Sequence, residues 1–286
     1  MAKRTSTAVH GGRIIRTVRA PLGGLTAILG LQIAVSGWVS PLARAVETRT
    51  PGLSTYTATA GIRSGCEHDY PPYCLVRADG SADGFSDELL RETLRAVGQT
   101  VDFRTDRWEI LKEDLAEGRL RVLPLVGRTP EREAIYDFTF PYLTMHGAIV
   151  VRKGDRRILG PADLRGMEVA VLKGDNAEEY LHRSGLGARL VPLPSFETAL
   201  RELSGGQHDA VVIQKLLAYH LMQAARIENL ETVGPPLQDF TQSFCFAVRK
   251  GDHELLARLN EGLSIVMANG TFRRLHAKWF SSLESY

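Results

Sequence analysis

Two extended stretches of this chain end in the same four residues, Arg-Lys-Gly-Asp: "MHGAIVVRKGD" at 145–155 and "SFCFAVRKGD" at 243–252. A second pair matches as well. "ILKEDLAEGRLRVLPLV" (110–126) and "ALRELSGGQHDAVVI" (199–213) each read as an amphipathic helix, a glycine stop and a buried strand. A chain that repeats this unit on either side of one extended crossing, then returns through a matching crossing, predicts an α/β fold of two similar lobes. Each lobe has a mixed sheet of its own, flanked by helices, and the crossings form a two-strand hinge. The helices "HELLARLNEGLSIVMANG" and "TFRRLHAKWF" then complete the first lobe. The expected boundaries are residues 57–146 plus 243–280 for lobe 1 and 147–242 for lobe 2, with a tail at 281–286. Within lobe 1, "SDELLRETLRAVG" predicts a helix capped by Ser86 or Asp87, with Leu89, Leu90, Leu94 and Val97 on one face and Gly98 as its stop. A cleft between two such lobes is a preferred place for a small ligand.

Residues 1–45 read as a secretory signal. Lys3, Arg4, Arg13, Arg16 and Arg19 precede the apolar run "LGGLTAILGLQIAVSGWV", and small residues follow near Ala43–Ala45. The alternative is an uncleaved anchor, since the run is close to the length that spans a bilayer. Residues 46–56 read as an unstructured leader. Cleavage removes those five basic groups and Arg44, taking the formal charge from +2 to 2 − 6 = −4. A mildly acidic exported chain argues against a nucleic-acid partner. The expected location is the periplasm, and the expected state a monomer.

Enzyme signatures are missing: the sequence contains no G-x-S-x-G, H-E-x-x-H or Cys-x-x-Cys. "CEHDYPPYC" crowds Cys66, Glu67, His68, Asp69 and Cys74 together, but without the spacing of a zinc knuckle, so neither metal nor cofactor is expected. Cys66 and Cys74 flank a short Pro-Pro loop and could close a disulfide, whereas Cys245 reads as a buried small apolar residue.

"VGRTPEREAIYDFTFPY" (126–142) is the most informative stretch. Thr129 before Pro130 and Glu131 is a helix start. It places Arg132 just past the carboxyl end of the strand "VLPLV", where open α/β sheets bind ligands. The guanidinium there is either solvated or a two-donor fork for a carboxylate. In the other lobe, "MEVAVLKGDNAEEYL" (167–181) reads as a strand, a turn at Gly174 and a helix start. That start either attracts an anion or is capped by Asp175 or Asn176. Arg132 and this helix start would then grip one carboxylate from both sides.

Five segments in order, "DYPPYCLVRADGSADGFSDELLRET", "RTPEREAIYDFTFPY", "LRGMEVAVLKGDNAEEYL", "LSGGQHDAVV" and "LNEGLSIVMANGTFRRLHAKWF", resemble the bacterial periplasmic solute-binding proteins of the polar amino acid type (family 3), close to their sensor-kinase-associated branch. The resemblance covers roughly residues 58–280 and implies the two-lobed periplasmic binding protein fold (type II). It places the family's carboxylate arginine on Arg132, aromatic platforms on Tyr70 and Trp108, an acid for the ligand's distal group on Glu67, and the second-lobe helix start on Lys173 to Asn176. Tyr70 and Trp108 would otherwise read as core.

The departures from the family pattern bear on the ligand. Pro124, Leu125 and Gly127 stand where the family has small hydroxyl residues, and Gln214 stands where it usually has an aspartate. A ligand ammonium facing only neutral groups loses a charge-assisted bond worth about 1.5–3 kcal/mol. Either Glu67 or Asp175 supplies the anion, or the ligand is a carboxylate with no free α-amine, which is the favoured expectation. The binding set is thus Glu67, Tyr70, Trp108, Leu125, Gly127, Arg132, Asp175, Asn176 and Gln214. The expected function is capture of a small carboxylate or amino acid by hinge closure and its delivery to an ABC-type permease. Two other readings are a sensing module or partner for a sensor kinase or cyclase, and an enzyme resembling prephenate or arogenate dehydratases with Glu67 as acid.

Overall fold

The structure, a computed structural model, describes residues 61–281. The expected signal and leader, and the tail beyond 281, lie outside the described residues. The first half contains β1 (Ile62–Glu67), three short strands β2 (Asp69–Tyr70), β3 (Cys74–Val76) and β4 (Ala82–Asp83), and helix α1 (Phe85–Ala96). It continues with β5 (Val101–Asp106), α2 (Trp108–Ala116), β6 (Val122–Gly127), the one-turn α3 (Pro130–Glu133), β7 (Tyr136–Phe138) and the crossing strand β8 (Leu143–Arg152). The second half holds β9 (Glu168–Leu172), α4 (Asn176–Ser184), β10 (Arg189–Leu193), α5 (Phe196–Ser204), β11 (Ala210–Gln214) and α6 (Lys215–Ala224). The long β12 (Leu230–Arg249) crosses back, and α7 (His253–Ala268) and α8 (Thr271–Phe280) end the fold.

The two halves follow one plan. β5, β1 and β6 are parallel neighbours, and so are β10, β9 and β11. Each trio is bordered by an antiparallel crossing strand, β12 beside β6 and β8 beside β11. The crossing strands also pair with each other, from Leu230 opposite Arg152 to Phe244 opposite Leu143, so the two sheets join in one hydrogen-bonded path. Because α-helices cover both faces, strand interiors read as continuous apolar runs. In β9, Val169 and Val171 pack on one face while Ala170 and Leu172 pack on the other, and β11 alternates in the same way.

The start of α1 differs from the sequence expectation. Neither Ser86 nor Asp87 caps it; both are fully buried inside the first turn. Gly84 precedes the helix at φ 122°, so close to β3 that a Cβ would sit 2.4 Å from the Tyr73 carbonyl. The Phe85 and Ser86 amides donate to the carbonyls of Pro72 and Tyr73, so backbone carbonyls satisfy the first two amides of the helix. Ser86 instead pairs with the Tyr142 hydroxyl at 2.9 Å, donating to it because the single phenol proton goes to the Pro124 carbonyl, and Asp87 accepts from the Cys66 thiol at 3.1 Å. Cys66, Cys74 and Cys245 are all buried free thiols.

His208, buried ahead of β11, has Nδ1 2.9 Å from Glu168 and Nε2 2.9 Å from Glu202. A neutral imidazole has one N–H and cannot donate to both, so this geometry calls for the imidazolium. Burial pulls the His208 pKa down, but the hydrogen bonds and charges of Glu202 and Glu168 outweigh it and the net shift is upward. A histidine with a raised folded pKa stabilises fully below its unfolded value, roughly 6.5, and loses that contribution as pH rises through the folded value. His208→Gln is therefore expected to cost on the order of 1 kcal/mol in urea unfolding at pH 5.5 and markedly less at pH 8.5. An equal cost at both values would show that the imidazole is neutral here.

Candidate functional site

The carboxyl ends of β1 and β6, with α2 and α3 beside them, face the β9–α4 turn of the second half. Thr129 caps α3 by accepting from the Arg132 amide at 3.2 Å, and Pro130 occupies the first helical position. This start sets Arg132 into the junction, where it is 3% exposed. Its guanidinium stacks over the Trp108 ring at 4.9 Å, and Nε donates to Glu179 of α4 at 2.9 Å. Nη1 donates to the Gly127 carbonyl and Nη2 to the Gly174 carbonyl, both at 3.3 Å. A guanidinium has five N–H donors. Two of them have no protein acceptor among the described residues.

The other expected site residues converge on this point. Trp108 Nε1 donates to the Gly174 carbonyl at 2.8 Å, and Leu125, Glu67 and Trp108 line one small cavity of about 10 Å³. Gly127 approaches Asn176 so closely that a Cβ would lie 2.6 Å from Asn176 Nδ2. Gln214 lies behind Asn176, its Nε2 3.4 Å from Asn176 Oδ1, and its own Oε1 is buried with no partner. Tyr70 packs edge-on against Tyr73 and Phe196, and its hydroxyl is likewise buried and unpaired. Buried phenols usually find a partner. The orphaned hydroxyl and amide oxygen lie in one junction.

Charge is unevenly distributed here. Burial first, then the negative charges of Asp175, Asp69 and Cys66, push the Glu67 carboxyl well above the ordinary carboxylate range, against the pull of Arg132. Burial also raises Asp175, although Arg132 and the Ala177 amide oppose it. Burial, followed by Asp175 and Glu67, raises the Tyr70 phenol. Lys112 of α2, held downward by burial and by Arg132, donates to the Gly174 carbonyl at 3.1 Å. Two cations, Lys112 and Arg132, thus share the junction with five acids: Glu67, Asp69, Asp175, Glu178 and Glu179. The site has room for positive charge.

The start of α4 takes the second of its two expected forms. Asp175 caps it, accepting from the Ala177 amide at 3.0 Å, and Glu178 accepts from the Gly174 amide at 2.5 Å. Three acids within five residues, "DNAEE", fill the positive end of the helix themselves. Arg132 and α4 meet through Glu179, not through a helix start. Glu179 and Lys112 were not singled out from the sequence. The only signal for Glu179 was an acid in a first turn, which is ordinary on any helix. Among the described residues no group of three or more His, Cys, Asp or Glu is placed to hold a metal.

The chain is similar to several known proteins. The chain is 28% identical over 220 residues to the L-cystine-binding protein TcyJ of Escherichia coli, covering 76% of this chain and 82% of that protein. It is 29% identical over 242 residues to the L-arginine-binding protein of Pseudomonas aeruginosa, covering 80% of this chain and 91% of that one. The solved sensor domain of a histidine kinase with similarity to periplasmic binding proteins superimposes with a TM-score of 0.73 at 34% identity, covering 78% of this chain and 96% of that domain. The fold is accordingly the two-lobed (type II) one, with β8 and β12 as its hinge strands. With the model of the bacterial extracellular solute-binding proteins, family 3, matching residues 62–282, nearly everything the structure describes, the chain belongs to that family.

Proposed function

We propose that the protein is a periplasmic receptor that captures an amino acid between its lobes and presents it to an ABC-type permease. One observation carries this reading: a buried guanidinium with two unused donors lies in the same junction as two buried carboxylates, Glu67 and Asp175, whose proton affinity is raised. A zwitterion fits that pairing. Its carboxylate takes the remaining Arg132 donors, and its ammonium or a side-chain cation faces Glu67, Asp175 and the unpaired oxygens of Tyr70 and Gln214. A deaminated carboxylate, the ligand favoured on sequence grounds, would leave those acceptors without donors. In this conformation the cavity beside Glu67 admits about one water. Entry therefore requires the lobes to part, and we take them as residues 57–146 plus 243–280 and residues 147–242. The N-terminal signal, export to the periplasm, monomeric state and lack of catalysis belong to the same reading. The family and the curated relatives, which are amino-acid-binding proteins, support it.

A thermal-shift panel of amino acids against their deaminated counterparts tests the ligand class. A ligand at a hundred times its dissociation constant adds about 2.7 kcal/mol. For a domain of this size that is roughly 5–10 °C. Cationic and polar amino acids are expected to give such shifts and deaminated acids much smaller ones; equal shifts would overturn the assignment of Glu67 and Asp175. The likeness to a kinase sensor domain favours a second reading, in which the closed form is read by a membrane sensor protein.

A further inference from the structure

Beyond ligand capture, we infer that Glu179 is an internal latch: a carboxylate of the second lobe that holds Arg132 of the first and closes the cleft before any ligand arrives. The inference rests on Arg132 being the ligand-facing donor, as proposed above. Both oxygens of Glu179 are engaged by the start of α3: Oε1 accepts from Arg132 Nε at 2.9 Å and Oε2 accepts from the Thr129 hydroxyl at 2.9 Å. Thr129 and Arg132 are three residues apart and joined by the helix cap, so one carboxylate meets a two-point socket. One turn further along α4, on the same face, Arg183 pairs with Glu131 at 2.9 Å. Lys173 likewise reaches Glu109 at 2.7 Å.

These cross-lobe pairs differ in burial, and burial decides between them. The Arg183–Glu131 side chains are 37% and 47% exposed and the Lys173–Glu109 side chains 59% and 45%, whereas Arg132 and Glu179 are 3% and 17% exposed. Exposed pairs are screened and contribute little, so of these three ion pairs the buried one is the most costly to break from one side. Glu179 takes the Nε edge of the guanidinium and leaves two terminal N–H groups for a ligand, fixing where a ligand carboxylate can bind. Glu179 is a positioning residue by this account. The ligand must wait for the latch to open, which slows association.

The test measures interlobe distance in ligand-free protein, by spin labels or fluorophores on exposed sites of the two lobes, in wild type, Glu179→Gln and Glu131→Gln. Wild type and Glu131→Gln should be predominantly closed. Glu179→Gln should shift to the longer distance and bind the best amino acid of the thermal panel at least ten-fold more weakly, with Glu179→Asp intermediate. A ligand-free wild type that is already open, or a Glu179→Gln that stays as closed as wild type, would remove the latch while leaving ligand binding untouched. If no amino acid binds but Glu179→Gln still opens the protein, the latch stands and the ligand assignment fails.

Discussion

Arg132→Ala should abolish measurable amino-acid binding and lower the stability of the ligand-free protein together. The guanidinium touches both lobes through its own N–H bonds and also retains donors for a ligand. Losing a charge-assisted fork to a carboxylate weakens binding by about 100-fold or more. The stability loss has a separate origin: Glu179 is left largely buried without its counter-charge, and the Trp108 face loses the cation stacked at 4.9 Å. Removing one partner of a buried pair costs roughly 3–5 kcal/mol. Glu179 keeps some exposure and can recover part of its hydration, so the lower end is expected, a fall in melting temperature of roughly 6–12 °C. Arg132→Lys should restore part of the stability but little of the affinity, because an ammonium cannot present the planar fork. Calorimetric titration and thermal unfolding separate the two effects.

Glu67→Gln should move stability and affinity in opposite directions. Burial and the neighbouring acids raise the Glu67 pKa in the folded chain. An acid with a raised folded pKa holds its proton longer folded than unfolded, so stability falls as pH climbs from the unfolded value, roughly 4.3, towards the folded one. Glutamine removes that penalty. The ligand-free variant should gain on the order of 1 kcal/mol near neutral pH, with a flatter acid limb in its pH–stability curve. Affinity for an amino acid should fall about 10- to 100-fold, the equivalent of one charge-assisted bond. Wild-type affinity should also weaken at acid pH, where Glu67 keeps its proton. A destabilised variant with unchanged affinity would place Glu67 in the packing of β1 and outside the site.

The repeated helix–glycine–strand unit and the paired Arg-Lys-Gly-Asp stretches made the architecture readable, because local periodicity sets both helix and strand, and the matching crossings imply the return. Arg132 was readable for a local reason too: Thr129 and Pro130 fix a helix start directly after a buried strand. Glu179 was not, because which face of α4 meets α3 depends on docking elements 47 residues apart in the chain. The start of α1 was misread for the same reason, since its amides are satisfied by carbonyls of the Pro72–Tyr73 turn and not by a neighbouring side chain. The ligand class turned on three-dimensional charge. In the sequence Gln214 looked like a lost anion that Glu67 or Asp175 could supply, and the proposed preference for an amino acid rests on both carboxyls standing in the same junction.

The most direct measurement is a structure with the amino acid that ranks first in the thermal panel. The account predicts its carboxylate on the terminal nitrogens of Arg132 and its ammonium or side-chain cation within hydrogen-bonding distance of Glu67 or Asp175. Finding the amino acid instead in the 450 Å³ groove beside Pro161, Tyr180, Arg183 and Leu237, or in the cleft with its carboxylate turned away from Arg132, would contradict it.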